Sequence, residues 1–483
     1  MTKLDFKPIT IADRDTLRAY TYAAGQRNCN FSFANLAAWQ PTFKTQFATT
    51  SDALALRYYF SDEMAYMLVV KNPSDNAIVN VICLLLEDAA SLGKPLNILG
   101  CEDNMAEIIK RHFGSQVTIQ PLRDSYDYIY RRESLASLSG RALQPKRNHT
   151  NQFRRRYPNY EYRTLTKDLF PQCLKLAEVW RNKGYHENPP EYEHDSIAAE
   201  KRVMEFTFDH WEELGTLGGA LFVDGTMVAF TYGGPITPTT FDVCVEKADT
   251  DYEGAFTVIN QEFCRHLPSQ YIFVNREEDM GLEGLRKAKT SYHPEELLSY
   301  NSLSFMKGAE YYYLVAGNEK RDKRETCEWM CRQYGFEWDT TWDWLTNLHI
   351  NWPLTVKALD QDENTIGLLT MSDYSIEEET PQIMQDKPSL LERLNLFSHT
   401  AVFSFIVAPD RKGSRLNYDM LQCIMPRLKQ YDYIFVPVLH HLKTHEYWKR
   451  WGAVLFYEDA DSKYYLIANN PAVTDALKEQ SKP

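Results

Sequence analysis

The chain has 483 residues, too many for one hydrophobic core, and domains of roughly 100 to 200 residues suggest about three structural units. With 44% hydrophobic and 25% charged residues it has the make-up of an ordinary folded protein, and a net charge of −13 disfavours a protein that coats nucleic acid, although a local basic patch can still hold a phosphate backbone. Between 4 and 130, LDFKPIT and ADRDTLRAYTYAAG open a first set of elements. LNILG, the helix EDNMAEIIKRHFG and the strands VTIQPL and YDYIYRR close it. Between 160 and 305, strand YEYRTL precedes helices running to Glu213, then the hairpin GGALFVDGTMVAFTYGG turns at Asp224 and Gly225. Strand TTFDVCVEKA, helix YEGAFTVINQEFCRHL, strand YIFVN, helix GLEGLRKAKTS and a strand near SYNSLSF follow. From 311 to 470 the pattern reads β, α, β, β, β, α, β, α, β, β, with an acidic loop near 375 to 390. The same order recurs along the chain without sequence identity between copies. An α/β protein of three units is expected, over 1–140, 141–307 and 308–483.

The longest apolar run, AVFSFIVA at 401–408, is far shorter than the roughly 18 residues needed to cross a bilayer, so no transmembrane segment is expected. The polar N-terminus and nine scattered cysteines point to reduced thiols in the cytoplasm. His440, His441 and His445 lack a visible fourth ligand, so no metal site is expected.

The order of elements is that of the GNAT acyltransferase fold. The segments IYRRESLASLSGRALQPKRNHTNQFRRRYPNYEY, LGGALFVDGTMVAFTYGG, FDVCVEKADTDYEGAFTVINQEF and NREEDMGLEGLRKAKTSYHP together resemble the C-terminal domain family of phosphatidylglycerol lysyltransferases. FSFANLAAWQ at 31–40 fits that family's N-terminal half, and the resemblance covers roughly 1–305. It implies two tandem GNAT-like lobes and transfer of an amino acid from aminoacyl-tRNA to an acceptor. The sequence departs from the family's pattern in that no membrane domain is expected in it and a third GNAT-like unit is expected instead.

Such transfer needs a held donor ester or thioester, a deprotonated acceptor and groups to stabilise an oxyanion. By strand alternation Asp242, Cys244 and Glu246 share one face, offering two carboxylates. Glu246 and Asp242 are therefore candidate bases for an incoming ammonium, against the alternative that Glu246 pairs with an arginine. Tyr232 is a third catalytic candidate, and Asn275 and Arg276, ending a neighbouring strand, are candidates to position the acceptor. On the helix after Leu282, Arg286 and Lys289 share an inward stripe and need an anion. That anion is either a protein carboxylate (Glu277, Glu278 or Asp279) or a substrate, and the resemblance favours substrate.

GNAT donors are held where helix N-terminal amides meet phosphate. The middle copy has Asp251 where a coenzyme A site would have a cation, so it is not expected to bind that donor. PDRKGSRLN in the last unit places Arg411, Lys412 and Arg415 around Gly413, a candidate phosphate or coenzyme A site or else a solvated cap. RALQPKRNHTNQFRRRYP carries six cations and no acid; Arg147, Arg154, Arg155 and Arg156 are candidate tRNA contacts, against a solvated linker helix.

The reading is a cytoplasmic acyl- or aminoacyltransferase with no tightly bound cofactor. Acyl-CoA or aminoacyl-tRNA would serve as co-substrate, and a small-molecule, peptidyl or lipid amine or hydroxyl as acceptor. Two alternatives stay open: an acetyl-CoA-dependent N-acetyltransferase run by the last unit, and a non-catalytic binding module that kept the fold.

Overall fold

The computed structural model describes residues 3–60, 63–184, 191–306, 311–347, 349–411, 414–442 and 444–479. Two compact units emerge: Met1–Ala106 with Thr118–Lys307, and Glu107–Val117 with Gly308–Pro483. Three mixed seven-stranded sheets flanked by helices make up the described residues, the GNAT-like α/β architecture expected from the order of elements.

The first sheet runs Lys7–Pro8, Gln46–Thr49, Ala53–Phe60, Glu63–Val70, Asn97–Cys101, Asn301–Phe305, Val117–Pro121. The second runs Glu296–Leu298, Asp127–Arg131, Phe273–Asn275, Thr240–Ala248, Thr226–Pro235, Leu217–Val223, Glu161–Thr164. The two lobes exchange strands. DYIYR, expected to close the first copy, lies in the second sheet, and NSLSF, expected to close the second, lies in the first. Alternating apolar residues mark both as strands, but nothing in that pattern names the partner strand. The exchange ties the two sheets covalently in both directions and brings Asp127 to the second lobe.

The hairpin turn falls where the sequence places it: Asp224 and Gly225 both have positive φ (49° and 81°), as a two-residue turn between twisted strands requires. Further along, a Cβ on Gly233 would come 1.7 Å from the carbonyl oxygen of Asp242. Only glycine allows this approach, and a bulge between Tyr232 and Gly234 accompanies it.

Strand Thr240–Ala248 pairs in parallel with Phe273–Asn275 at three positions, ending at Asp242↔Asn275. It then continues alone on that side to Ala248, so the sheet splays open. The second unit repeats the device. Its sheet runs Tyr312–Ala316, Val356–Asp360, Thr365–Ser372, His399–Val407, Tyr433–Leu439, Ser462–Ala468, Val454–Glu458, and its central parallel pairing also spans three positions, ending at Ala401↔Phe435. Its element order, with added short helices, is the predicted one.

Candidate active site

The loop after strand Phe273–Asn275 is shaped by its own polar groups. The Asn275 side chain accepts a hydrogen bond from the Glu277 amide (2.6 Å) and donates to the Arg27 carbonyl (2.9 Å) and to Asp127 (2.8 Å). Glu277 and Met280 take positive φ (56° and 53°), a costly conformation that the surrounding bonds impose. The ammonium of Lys289, buried on helix Glu283–Thr290, donates to the carbonyls of Arg276 and Glu278. The outcome is a curl that turns Glu277 and Glu278 inward.

Two segments far away in sequence complete the site. Asp127, fully buried, accepts from the Cys29 amide (2.8 Å), the Cys29 thiol (3.2 Å) and the Tyr300 hydroxyl (3.2 Å). Asn35, on helix Phe33–Phe43, donates to Asp242 and to Glu277, both at 3.0 Å, and so bridges the two acids. Asp242 also takes a contact from the Cys244 thiol at 3.4 Å, and the Cys29 thiol reaches Glu278 at 3.6 Å. Asp242 is 0% exposed, and its Oδ1 has no hydrogen-bond partner.

Asp127 and Asp242 are wholly buried and Glu277 and Glu278 partly so, and ionising the buried acids so close to further carboxylates is costly. Burial, reinforced by Glu277 and Asp127, pushes Asp242 well above the usual carboxylate range. Burial and the neighbouring Glu278 raise Glu277 to about 8, and burial raises Asp127 to about 6. Burial also pushes both thiols up. Two trios, Cys29 with Asp127 and Glu278, and Asp242 with Cys244 and Glu277, have donor atoms within 4.8 Å of one another and are the groups that could surround a small cation. Sequence reasoning looked for a metal among histidines and did not see these trios.

The other expected residues sort as follows. Glu246 is not an open base: it takes the arginine alternative, pairing with Arg276 at 3.0 Å and accepting from Asn260 at 3.2 Å. Tyr232 is enclosed by Phe208, Trp211 and Phe230, and burial holds its phenol protonated, so it is no base either. Arg286 is committed to protein rather than open to a substrate anion: it donates to both oxygens of Asp279 at 2.8 Å and to Asp124 at 2.7 Å. Asp279 is itself wholly enclosed, accepting from Tyr128 and Arg123 as well, and so is a structural hub rather than a substrate ligand. Lys289 faces carbonyls, and Asn275 organises the loop.

In the basic segment, now helix Gln144–Arg156, Arg147 donates to the carbonyls of Leu138 and Gly140, and Arg154 pairs with Glu262 at 2.8 Å. Arg155 and Arg156 are exposed. In the second unit Arg411 ends a short 3-10 turn beside Asp410, and Arg415 caps helix Leu416–Leu428; Lys412 and Gly413 lie outside the described residues.

Cys29, Asn35, Asp127 and Cys244 were missed as site residues, and Glu277 and Glu278 were read only as possible partners of Arg286 and Lys289. A signal existed for Asp127, an acid inside the aromatic strand DYIYR, where only a satisfied or functional carboxylate belongs.

A sequence profile described as phosphatidylglycerol lysyltransferase, C-terminal, matches residues 23–301, more than half of the chain. The crystal structure of a conserved protein of unknown function from Bacteroides thetaiotaomicron VPI-5482 is 40% identical with a TM-score of 0.58, the likeness covering 63% of this chain and 100% of that one. The structure of L-PGS from Bacillus licheniformis is 14% identical with a TM-score of 0.42, over 62% of this chain and 93% of that one. An uncharacterized protein of Mycoplasmoides gallisepticum is 24% identical over 175 residues, 36% of this chain and 54% of its own length. The chain thus spans about half the length of that curated relative. From the profile match, which covers more than half of its length, the chain belongs to the family of the phosphatidylglycerol lysyltransferase C-terminal domain.

Proposed function

We propose that the chain moves an aminoacyl group from aminoacyl-tRNA to an amine or hydroxyl acceptor, and that the acidic nest receives the ammonium of the transferred amino acid. The observation that carries this reading is Asp242, wholly buried among three further carboxylates with one oxygen unpartnered. A buried acceptor left unsatisfied costs about 1–3 kcal/mol. An ammonium offers three N–H donors and a positive charge, which supplies the missing partner and lets neighbouring carboxylates ionise. Lys289 does not fill this role: two of its three donors are held by the carbonyls of Arg276 and Glu278, and none reaches the unpartnered oxygen of Asp242.

In the transfer, the acceptor's nitrogen or oxygen attacks the ester carbonyl carbon, and the bond from that carbon to the ribose oxygen breaks. The proton lost by the acceptor is taken by a carboxylate and returned to the leaving ribose oxygen. Glu277, held at about 8, and Asp127, at about 6, bracket neutral pH, the range in which a carboxylate can both accept and return a proton. The acceptor is a small molecule, a peptide or a lipid headgroup, and the place of action is the cytoplasm, where aminoacyl-tRNA is made. No helix among the described residues is long and apolar enough to cross a membrane. The test is to incubate the full chain with a mixture of aminoacyl-tRNAs and candidate acceptors and follow the ester-linked amino acid. Loss faster than spontaneous hydrolysis is expected, and loss at the spontaneous rate with every acceptor would sink the reading.

The tRNA would be drawn by exposed Arg155 and Arg156, the latter only loosely paired with exposed Glu253 at 3.7 Å, rather than by the whole basic segment, since Arg147 and Arg154 are held more closely. Charge reversal at Arg155 and Arg156 should lower the slope of log affinity against log salt by about 1 to 2, near 0.7–0.9 per phosphate contact. An unchanged slope would leave the segment a solvated helix.

A second reading concerns the other unit. Its central strands splay as in the middle sheet, and Arg411 and Arg415 precede the helix that follows. This placement favours a phosphorylated acyl donor such as acetyl-coenzyme A. Calorimetric titration of the full chain should show binding that Arg411→Glu weakens by about tenfold, the loss of one charge-assisted contact. Equal affinities would remove the assignment.

A further inference from the structure

The splay in the middle sheet contains a second polar group, built from residues other than those of the acidic nest. Arg276 pairs with Glu246 through one nitrogen only, and its Nη1, though buried, has no partner. Asn260, 2% exposed on helix Ala255–His266, donates to the same Glu246 and leaves its own Oδ1 without a donor. One carboxylate therefore anchors two side chains that each keep an unsatisfied buried atom, a donor on Arg276 and an acceptor on Asn260.

Lys146 closes the group. It projects from the first turn of helix Gln144–Arg156, and its ammonium rests 4.0 Å from the centre of the Tyr292 ring, which also carries the Arg276 guanidinium at 4.9 Å. Among the described residues no carboxylate stands within ion-pair distance of Lys146, and burial, with Arg276 nearby, lowers its pKa. Two cations face one carboxylate. The balance is restored by an oxyanion, and the orphaned oxygen of Asn260 asks for a hydroxyl on the same molecule. Lys146 is only partly buried, so the group opens to solvent on that side.

We propose that this splay binds the phosphate and a sugar hydroxyl of a nucleotide, with Lys146 and Arg276 on the phosphate and Asn260 on the hydroxyl. The proposal rests on the reading of the donor as aminoacyl-tRNA and deepens it: the 3′-terminal nucleotide enters the splay while the amino acid's ammonium is received by the acidic nest. The basic segment then has a divided role. Lys146 serves the splay, Arg147 and Arg154 hold the helix in place, and Arg155 and Arg156 face solvent.

The probes are adenosine 5′-monophosphate, inorganic phosphate and adenosine, titrated into the full chain and read by calorimetry or by fluorescence. Lys146→Met keeps the stem over Tyr292 and, being partly exposed, should fold; Lys175→Met, exposed on another helix, is the control. Adenosine 5′-monophosphate should bind more tightly than either phosphate or adenosine. Lys146→Met should weaken it by about tenfold or more, the loss of one charge-assisted contact, with an unchanged melting temperature. Equal affinity for the nucleotide and inorganic phosphate would overturn the nucleotide assignment. No binding up to roughly 10 mM, or binding indifferent to Lys146→Met, would overturn the site. Failure here with aminoacyl-tRNA still consumed discards the splay site alone. Nucleotide binding without consumption of any aminoacyl-tRNA discards the transfer reading and leaves the site.

Discussion

Replacing Glu277 by glutamine is expected to slow aminoacyl transfer by about 10²- to 10⁴-fold, the usual worth of a general base, while leaving the fold intact. Glutamine keeps the shape and the carbonyl that accepts from Asn35, and removes only the proton-accepting carboxylate. A second readout separates this chemistry from mere packing. Glu277 binds its proton more tightly folded, at about 8, than in the unfolded chain, whose ordinary value is 4.5. Between those values the native state holds more protons than the unfolded one. The stability contributed by this group is thus fully present below the lower value and lost as the pH rises through the upper one. Each proton involved contributes a slope of at most about 1.4 kcal/mol per pH unit. Denaturant midpoints measured at pH 5 and pH 8 should fall with pH in the parent chain and fall less in Glu277→Gln. Asp127, raised to about 6, keeps part of the slope in the variant. An active Glu277→Gln protein with an unchanged slope would remove Glu277 from the mechanism.

The largest stability effect is expected at Asp279. Its carboxylate is 0% exposed and accepts from Arg286 twice, from Tyr128 at 2.7 Å, and from Arg123 and the Gly281 amide at 3.0 Å. Chiefly through Arg286, these donors hold it well below the ordinary carboxylate range. Asp279→Asn keeps the shape, removes the charge and leaves two guanidiniums facing a neutral amide, at a cost of about 3–5 kcal/mol. A group depressed in this way contributes stability above its unfolded value of 3.8 that is lost as the pH falls through its lower folded value. Asp124→Asn serves as the control: its side chain is 67% exposed, and the Arg286 contact there should be worth about 0–1 kcal/mol. Equal losses for the two variants would contradict the hub role.

The sequence disclosed more about elements than about partners. Alternation in TFDVCVEKA placed Asp242 and Glu246 on one face, and the 100° spacing after Leu282 put Arg286 and Lys289 on an inward stripe. Both patterns are local, set by the period of a strand or helix. What occupies the inward side is set by tertiary contacts. Asp279, rather than a ligand, meets Arg286, and Arg276 rather than solvent meets Glu246, because the strands diverge immediately after Asp242 and Asn275. The acidic nest was half legible for the same reason. Asp242 stood out within its own strand, whereas Cys29, Asn35 and Asp127 arrive from segments more than a hundred residues away, Asp127 through a strand exchange that no periodicity encodes.

The central claim is that the buried carboxylates recognise the ammonium of the amino acid being transferred. It is tested most directly by comparing each consumed aminoacyl-tRNA with its N-acetylated form, in which the charge and the extra N–H donors are gone while the ester is intact. The account predicts that the parent chain consumes the free-amine donor and rejects the acetylated one by about 10²-fold or more, since a buried acid nest left unpaired forfeits a charge-assisted contact of several kcal/mol. It predicts further that Glu277→Gln narrows this preference. Equal consumption of the two donors would contradict it.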